Sequence, residues 1–216
     1  MSINKTYAVF GLGRYGRAVA EGLVNSGAEV LAVDIDQNNV NAAIEMVPVC
    51  KCADITEPEV IKKLGIENID VVIVAMASNL EASVMAITLC KEVGVKTVIV
   101  KCGNEMHEKI FTRIGADRVI FPERESGTLL AKNLISAGFS EMIELSDDVS
   151  MVELEVKDDW VGKTLIELSL RKKYAINVVA VRSGGSISTT VDPTQPLEKG
   201  MELIVIANTA KLQKLK

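Results

Sequence analysis

Short apolar segments rich in β-branched residues alternate with longer amphipathic segments through the first half of the chain. Each apolar segment is almost free of polar residues, as strands buried on both faces are. Strands are therefore predicted at Tyr7–Phe10, Glu29–Val33, Val47–Cys52, Val71–Ala75, Thr97–Lys101 and Arg118–Phe121. Buried strands separated by helices predict an α/β fold with a doubly wound parallel sheet.

The amphipathic segments between these strands have the spacing of helices with one buried face. Helices are predicted near Tyr15–Ser26, Asn38–Met46, Glu57–Leu64, Leu80–Val93 and Glu105–Ile114. A glycine follows four of these segments, at Gly27, Gly65, Gly94 and Gly115. Glycine just past a helix adopts the left-handed conformation that ends it, so these residues support the boundaries independently of the hydrophobic pattern.

The pattern changes after Pro122. Ser126–Gly138 is predicted to be one amphipathic helix that reaches another subunit, and the polar segment Glu141–Ser150 is predicted to be a linker, extended in part. A small α+β carboxyl-terminal lobe follows, with a predicted helix at Thr164–Lys173. Its predicted strands are Met151–Val156, Ile176–Val181, Ser186–Val191 and Glu202–Ala207. The predicted domains are residues 1–138 and 139–216.

Composition agrees with one mid-sized and one small globular domain, since 48% of the 216 residues are hydrophobic and 25% are charged. The net charge of -5, with both signs interspersed, argues against a nucleic-acid partner. No apolar run reaches the ~18 residues that span a bilayer, and Met1–Tyr7 lacks the apolar core of a signal peptide. A cytoplasmic location is therefore predicted.

Four cysteines lack metal-site spacing, namely Cys50, Cys52, Cys90 and Cys102. They are interpreted as buried, reduced thiols, as expected in the cytosol. Cys50 and Cys52 lie two residues apart on a predicted strand and face the same side, so a binding role remains an alternative to packing.

The segment Gly11–Gly16, with the sequence GLGRYG, follows a strand and begins a helix, and Asp34 ends the next strand. In this setting Gly11 permits a tight turn, Gly13 admits a pyrophosphate against bare backbone, and Gly16 allows close helix–strand packing. The phosphates would bind at the helix N-terminus, and Asp34 would accept hydrogen bonds from both ribose hydroxyls. The pattern predicts a Rossmann-type nucleotide site that disfavours NADP, because Asp34 would repel a 2′-phosphate.

Two charged residues near this turn have alternative interpretations. Arg14 can bind two phosphate oxygens at once through its guanidinium group, which favours a nucleotide with free phosphates. Alternatively, it is a solvated surface arginine. Asp36 lies on the same strand end as Asp34 and either contributes to the site or caps the helix at Asn38.

Ligands of open α/β sheets bind at the carboxyl ends of the strands, so residues in those loops should converge on one cleft. The candidates are Tyr15, Asp54, Ile55, Thr56, Ala75, Met76, Ala77, Asn79, Lys101 and Glu123. Asp54 and Thr56 would contact the edge of an adenine, although Thr56 is equally suited to cap the helix at Glu57. Lys101 ends an apolar strand, where it requires a phosphate or carboxylate partner.

A dehydrogenase uses the same turn, but it also needs a proton donor near the nicotinamide. The only histidine, His107, falls in a predicted helix and is interpreted as exposed. Lys173 and Tyr174 are adjacent, so they face different sides of a helix and do not form a reductase pair. The pattern favours a sensor, with a dehydrogenase or a free-standing redox or energy sensor as the alternatives.

The chain resembles the regulator-of-potassium-conductance (RCK) family, the soluble gating subunits of the Ktr and Trk potassium uptake systems. The resemblance covers essentially the whole length and is carried by Ala8–Gly16, Glu29–Asp34, Ala53–Thr56, Val72–Ala75, Asn79–Ser83, Ile114–Glu123 and Ser146–Asp147. The block Ile114–Glu123, which ends in Pro-Glu, is far more specific to this family than the glycine-rich turn.

This resemblance implies a regulatory subunit at the inner face of the cell membrane. It implies homodimers, formed through a helix corresponding to Ser126–Gly138, that assemble into an octameric ring beneath a membrane potassium-translocating subunit. The ligand would be ATP or ADP, with NAD(H) as the alternative. Glu123 would approach a divalent cation, Mg²⁺ or Ca²⁺, that bridges the nucleotides of a dimer.

The resemblance also implies a second ligand in the carboxyl-terminal lobe. The segment Arg171–Val178 resembles the cyclic di-AMP segment of Ktr subunits. By position, Arg171 would bind a phosphate and Asn177 would contact an adenine edge. Leu165, Ile176 and Val178 would form the apolar floor of the site. The alternative is structural, because cationic residues stabilise a helix C-terminus and asparagine suits a helix–strand turn.

Overall fold

The computed structural model describes residues 5–135, 139–146 and 148–212. The chain divides into two compact units, Met1–Glu123 and Arg124–Lys216. The boundary predicted at residue 138 stays a prediction, because one helix, Pro122–Ile135, runs across the junction. No helix within the described ranges is both long and apolar enough to cross a membrane.

The first unit is built on a parallel sheet of six strands, in the order β3-β2-β1-β4-β5-β6. The strands are β1 (Thr6–Phe10), β2 (Glu29–Asp34), β3 (Val49–Cys52), β4 (Val71–Val74), β5 (Thr97–Lys101) and β6 (Arg118–Ile120). This confirms the predicted Rossmann-type sheet. Strand β3 begins two residues later than predicted, because the amide of Val47 donates to the carbonyl of Ala43 and closes the preceding helix.

Helices connect these strands on both faces of the sheet. They are α1 (Arg14–Asn25), α2 (Gln37–Ala43), α3 (Pro58–Lys63), α4 (Leu80–Glu92) and α5 (Glu105–Arg113), with a 3₁₀ turn at Ile66–Asn68. All four glycines predicted to end helices have positive φ, from 67° at Gly65 to 102° at Gly115. Helix α2 ends three residues before the predicted Met46.

The hydrophobic core of this unit lies on the two faces of the sheet. Because successive strand residues face opposite sides, Val9 packs in one cluster and Phe10 in the other, both fully buried. Phe111 and Ile87 bring α5 and α4 onto the face of Phe10. Burial on both faces explains why the strands read as continuous apolar runs.

Asp117, within the block Ile114–Glu123, has a structural role. Its Oδ2 accepts hydrogen bonds from the backbone amide of Val98, at 2.6 Å, and from Nζ of Lys91, at 2.5 Å. The aspartate thus ties α4 and β5 to the turn before β6. This part of the block is structural, and it fixes the amino ends of β5 and β6.

Helix α6 (Pro122–Ile135) begins four residues before the predicted Ser126. Proline is favoured in the first turn of a helix, because its missing amide would be unpaired there and its φ is already helical. The predicted start is therefore wrong, and Pro122 begins the helix instead of preceding it. Gly138, the predicted end, lies outside the described residues, as does Asp147.

The second unit contains an antiparallel sheet in the order β10-β9-β11-β8-β7. Its strands are β7 (Phe139–Glu144), β8 (Val149–Glu155), β9 (Asn177–Ser183), β10 (Ser186–Ser188) and β11 (Glu202–Asn208), and a short helix, Thr209–Leu212, follows. The segment Glu141–Ser150 is not a linker, because Glu144 pairs with Ser150 and Leu145 donates to Val149, which makes a hairpin. Strand β10 ends three residues before the predicted Val191.

The predicted helix Thr164–Lys173 is two short helices, α7 (Leu165–Leu168) and α8 (Leu170–Tyr174). Ser169 separates them in the left-handed conformation, with φ 48°. Thr164 and Glu167 form a capping box that begins α7. The break places Leu168 and Leu170 together in the core, both almost fully buried.

Candidate nucleotide-binding site

The glycine-rich turn has the geometry that its spacing predicts. Gly11 has φ 89°, and a Cβ on Gly16 would lie 1.8 Å from the carbonyl oxygen of Gly11, so only glycine fits at Gly16. Gly13 is the N-cap residue just before α1, and a Cβ there would meet nothing within 4 Å. Gly13 has no side chain with which to cap this helix, and the first-turn amides of an α-helix have no intrahelical partners.

Asp34 is held rigidly beside this turn by three nitrogen donors. Its Oδ2 accepts from the amide of Leu12 at 2.5 Å and from Nδ2 of Asn39 at 3.2 Å, and its Oδ1 accepts from the amide of Asp36 at 2.8 Å. Each carboxylate oxygen accepts about two hydrogen bonds, so both positions on Oδ2 are taken and Oδ1 retains one for a ribose hydroxyl. Asp34 therefore offers one strong ribose contact, where the sequence suggested two.

A cleft of about 640 Å³ opens at the carboxyl ends of β1, β2, β3 and β4. This volume falls within the usual range of ligand sites, roughly 300–1,000 Å³. Nine predicted site residues line the cleft, namely Gly11, Gly13, Asp34, Asp54, Ile55, Thr56, Ala75, Met76 and Asn79. Most of the predicted site residues of the first unit thus lie together at this edge of the sheet.

The polar residues of the cleft are organised by local hydrogen bonds. Oδ1 of Asp54 accepts from the amide and the hydroxyl of Thr56, at 2.9 and 2.7 Å, so Thr56 orients Asp54 and does not cap α3. Asn79 caps α4 by accepting from the amide of Ala82 at 3.0 Å. Oδ2 of Asp54 accepts no hydrogen bond from Thr56.

The remaining predicted residues of the first unit lie outside this lining. Asp36 caps α2, since its Oδ1 accepts from the amide of Asn38 at 2.9 Å, which favours the structural interpretation. Arg14 is exposed at the start of α1, and Gly16 is buried beneath it. Ala77 lies in the loop after β4, where its carbonyl oxygen would be 3.5 Å from a Cβ on Gly103.

Lys101 has the anionic partner that its position requires. Its Nζ lies 2.6 Å from Oε1 of Glu123 and 5.2 Å from the centre of the Tyr15 ring. The lysine side chain is 14% exposed, whereas that of Glu123 is 62% exposed. The hydrogen bond from Lys101 lowers the pKa of Glu123, and a backbone hydrogen bond adds to the effect.

The cleft is acidic. Asp34, Asp54, Glu57 and Glu81 line it, and among its described lining residues there is no lysine or arginine. A polyphosphate therefore needs compensation from the α1 amides, from charges outside the lining such as Arg14, or from a bound cation. Within the ranges described, no group of three or more histidine, cysteine or acidic side chains is arranged to hold a metal ion.

The sequence interpretation missed several lining residues, namely Ile35, Asn39, Ala53, Glu57, Glu81, Ala82 and Met85. Asn39 and Met85 lie on helices, and helical spacing alone does not reveal which face borders a cleft. His107 is half-buried and not exposed as interpreted, and its Nδ1 is buried without a hydrogen-bond partner in the described structure. Of the thiols read as buried, Cys90 and Cys102 are buried, but Cys50 is half-buried and Cys52 is exposed.

In the second unit, the predicted ligand segment surrounds the end of α8. Arg171 and Asn177 are exposed and Val178 is half-buried, so all three are accessible to a ligand. Ile176 is buried in the core of the unit, so its side chain cannot form part of the floor of a ligand site. Ala175 closes α8 in the left-handed conformation, with φ 53°.

Comparison with known proteins identifies both units. The TrkA-N domain matches residues 7–122, and the TrkA-C domain matches residues 149–216. The Ktr system potassium uptake protein C of Bacillus subtilis is 36% identical over 98% of this chain and 96% of its own length. The Ktr system potassium uptake protein A of Vibrio alginolyticus is 36% identical over 97% and 95%.

Solved structures agree at the level of the fold. The match to the GsuK channel includes all of this chain and 40% of the GsuK chain, with a TM-score of 0.65 and 16% identity. A GsuK channel bound to NAD covers 98% of this chain and 38% of its own, with a TM-score of 0.53 and 18% identity. With two domain models that together span most of its length and full-length relatives above 30% identity, the chain belongs to the family of Ktr and Trk potassium uptake regulatory subunits.

Proposed function

We propose that the first unit binds an adenine nucleotide with submillimolar affinity and thereby controls a membrane potassium-translocating subunit. The observation that carries the proposal is the acid Asp34, held by three donors beside a glycine turn whose helix amides are uncapped. A preorganised carboxylate selects ribose, and uncapped helix amides select phosphate. The acidic lining disfavours the additional 2′-phosphate of NADP.

The ligand is ATP or ADP, with NAD(H) as the alternative. Arg14 is exposed at the start of α1, where its guanidinium can reach a terminal phosphate of a nucleotide bound to its own chain or to a partner chain. ADP lacks that phosphate. Because a ligand shifts a conformational equilibrium only by binding one state better, this contact is the proposed basis of gating.

Binding is proposed to occur without turnover. The described lining contains no histidine, cysteine, lysine or tyrosine that would donate a proton in hydride transfer. The alternative functions, an NAD(H)-dependent dehydrogenase or a free-standing redox or energy sensor, predict either steady reduction of a carbonyl substrate or a different partner. Sustained NADH oxidation with a carbonyl substrate would contradict the sensor.

A divalent cation, Mg²⁺ or Ca²⁺, is proposed to bind Glu123 together with ATP. Glu123 is the exposed carboxylate beside Lys101, and one carboxylate does not hold such an ion alone, so the ligand phosphates and a second chain would complete the coordination. Identical effects of Mg²⁺ on ATP affinity in the wild type and in Glu123→Gln would contradict this assignment.

The assembly is proposed to be a homodimer that builds an octameric ring on the cytoplasmic side of the membrane. Leu129, Leu130 and Leu134 of α6 are between 52% and 74% exposed, an apolar surface that supports pairing with a second copy. In the second unit, the exposed Arg171 and Asn177 support a cyclic di-AMP site across a dimer axis, where a two-fold symmetric ligand meets two copies.

The test is calorimetry and thermal shift on the purified full chain with ATP, ADP, NADH and cyclic di-AMP. We expect ATP and ADP to bind in the first unit, with loss of binding in Asp34→Ala. Cyclic di-AMP should bind at micromolar or lower concentration and lose affinity in Arg171→Ala, with Lys199→Ala as the control. An absence of heat for all four ligands from folded protein would overturn the proposal.

A further inference from the structure

The ion pair between Lys101 and Glu123 is asymmetric. The lysine is 14% exposed, whereas the glutamate is 62% exposed and lies in the first turn of α6. The ammonium group thus has a fixed position, enclosed beside the Tyr15 ring. The carboxylate is the partner that can leave, since a largely exposed glutamate regains water when the pair opens.

The position of Lys101 places it where a ligand phosphate would compete for it. Tyr15 is the second residue of α1, the helix whose uncapped first turn attracts anions. Lys101 ends β5, which neighbours β4 at the same carboxyl edge of the sheet as the cleft, and its ammonium group lies against Tyr15 just outside the cleft lining. Glu123 holds this cation, with its Oε1 2.6 Å from Nζ of Lys101.

We propose that Glu123 is an intramolecular competitor of the nucleotide's terminal phosphate for Lys101. Without ligand, the carboxylate neutralises the half-enclosed ammonium group. When a nucleotide binds, its phosphate takes over Lys101 and Glu123 is released. The inference rests on the proposed nucleotide binding and adds an order of events to it.

This exchange makes cation binding depend on the nucleotide. The released carboxylate would lie near the phosphates of the nucleotide, and a cation between these negative charges would offset their repulsion. While Glu123 is paired with Lys101, its charge is already compensated and its affinity for Mg²⁺ or Ca²⁺ is low. The cation should therefore bind after the nucleotide and not before it.

The competition is measured by calorimetry with ATP and EDTA, so that no divalent ion participates. Glu123→Gln should bind ATP more tightly than the wild type, by about fivefold, which is the scale of a partly exposed ion pair. Lys101→Gln should bind ATP more weakly. In the Lys101→Gln background, the additional change Glu123→Gln should alter the affinity less than twofold.

Glu59→Gln is the matched control, because Glu59 forms an exposed pair with Lys62 and lies outside the cleft lining. It removes the same charge and should leave the ATP affinity unchanged. Equal or weaker ATP binding by folded Glu123→Gln would overturn the competition and show a merely structural pair. Tightening that persists with Lys101→Gln would also overturn it, because it would then arise from long-range repulsion.

The wild type separates the two proposals. If it binds neither ATP, ADP nor NADH, the proposed function fails and the competition fails with it. If it binds ATP and Glu123→Gln does not bind more tightly, only the competition fails. A second readout is direct titration with Ca²⁺, where heat in the presence of ATP but none in its absence is expected, and heat without ATP would overturn the order of events.

Discussion

The amide of Leu12 donates a 2.5 Å hydrogen bond to Oδ2 of Asp34, so the acid that ends β2 is tied directly to the glycine-rich turn. Asp34→Ala should therefore weaken both binding and folding. Leu12 is fully buried, and an amide left without an acceptor costs about 1–3 kcal/mol. We expect a lower midpoint in urea unfolding and a loss of ATP and ADP binding by calorimetry.

Two further variants separate these effects. Asp34→Asn keeps an oxygen acceptor for Leu12 but places its NH₂ group opposite the amide of Asp36, so it should lose less stability than Asp34→Ala while binding nucleotide more weakly. Asp36→Ala removes the cap of α2, which costs about 1 kcal/mol, and should leave nucleotide affinity unchanged. Full ATP affinity in Asp34→Ala would show that this carboxylate does not bind the ribose.

Arg14→Ala should weaken ATP binding more than ADP binding. The proposed contact is a charge-assisted hydrogen bond to a phosphate that only ATP carries, worth about 1.5–3 kcal/mol. Calorimetry with both nucleotides gives the two ratios, and Lys62→Ala, which removes an exposed charge from α3, is the control. Equal losses for ATP and ADP would be inconsistent with a terminal-phosphate contact.

Asp117 should make the stability of the first unit depend on acid pH. Burial raises the pKa of Asp117, but the hydrogen bonds from Lys91 and from the amide of Val98 outweigh burial and lower the pKa below its usual value of 3.8. A lowered folded-state pKa stabilises the fold above the unfolded-state pKa, and this stabilisation is lost as pH falls through the folded-state pKa.

Asp117→Asn should therefore reduce the melting temperature at pH 7, and the difference from the wild type should shrink as the pH falls below about 4. Thermal unfolding followed by circular dichroism between pH 7 and pH 3 measures this. Asp158→Asn, at a side chain that is 87% exposed, is the control and should show little difference at any pH. A difference that does not change with pH would point to packing and not to charge.

The four thiols should react in an order set by exposure. Cys52 is exposed, whereas Cys90 and Cys102 are fully buried and burial raises the pKa of Cys90 to about 12. Since the thiolate is the reactive form, iodoacetamide should label Cys52 first and Cys90 only after unfolding. Peptide mass spectrometry measures the rates, and rapid labelling of Cys90 in folded protein would contradict the predicted order.

The strands, the glycine-rich turn and the glycines that end the helices were predictable from the sequence. These features depend on neighbouring residues, because burial repeats with the period of the element and a left-handed residue needs glycine at that position alone. Gly11, Gly16 and Asp34 therefore lie where their spacing predicts. The same local rules failed at α7 and α8, where Ser169 adopts positive φ despite its side chain.

Contacts between distant residues were decided by the tertiary structure. The sequence indicates that Lys101 needs an anion, but Glu123 lies 22 residues away and becomes its partner only where β5 and α6 meet. Likewise, the pairing of β7 with β8 turned a polar segment into a hairpin, because the alignment of two strands supplies hydrogen bonds that composition does not reveal. The sequence by itself determined the elements and the nucleotide-type turn, and the tertiary structure decided which charges meet, because such pairing depends on distances in space that sequence separation does not specify.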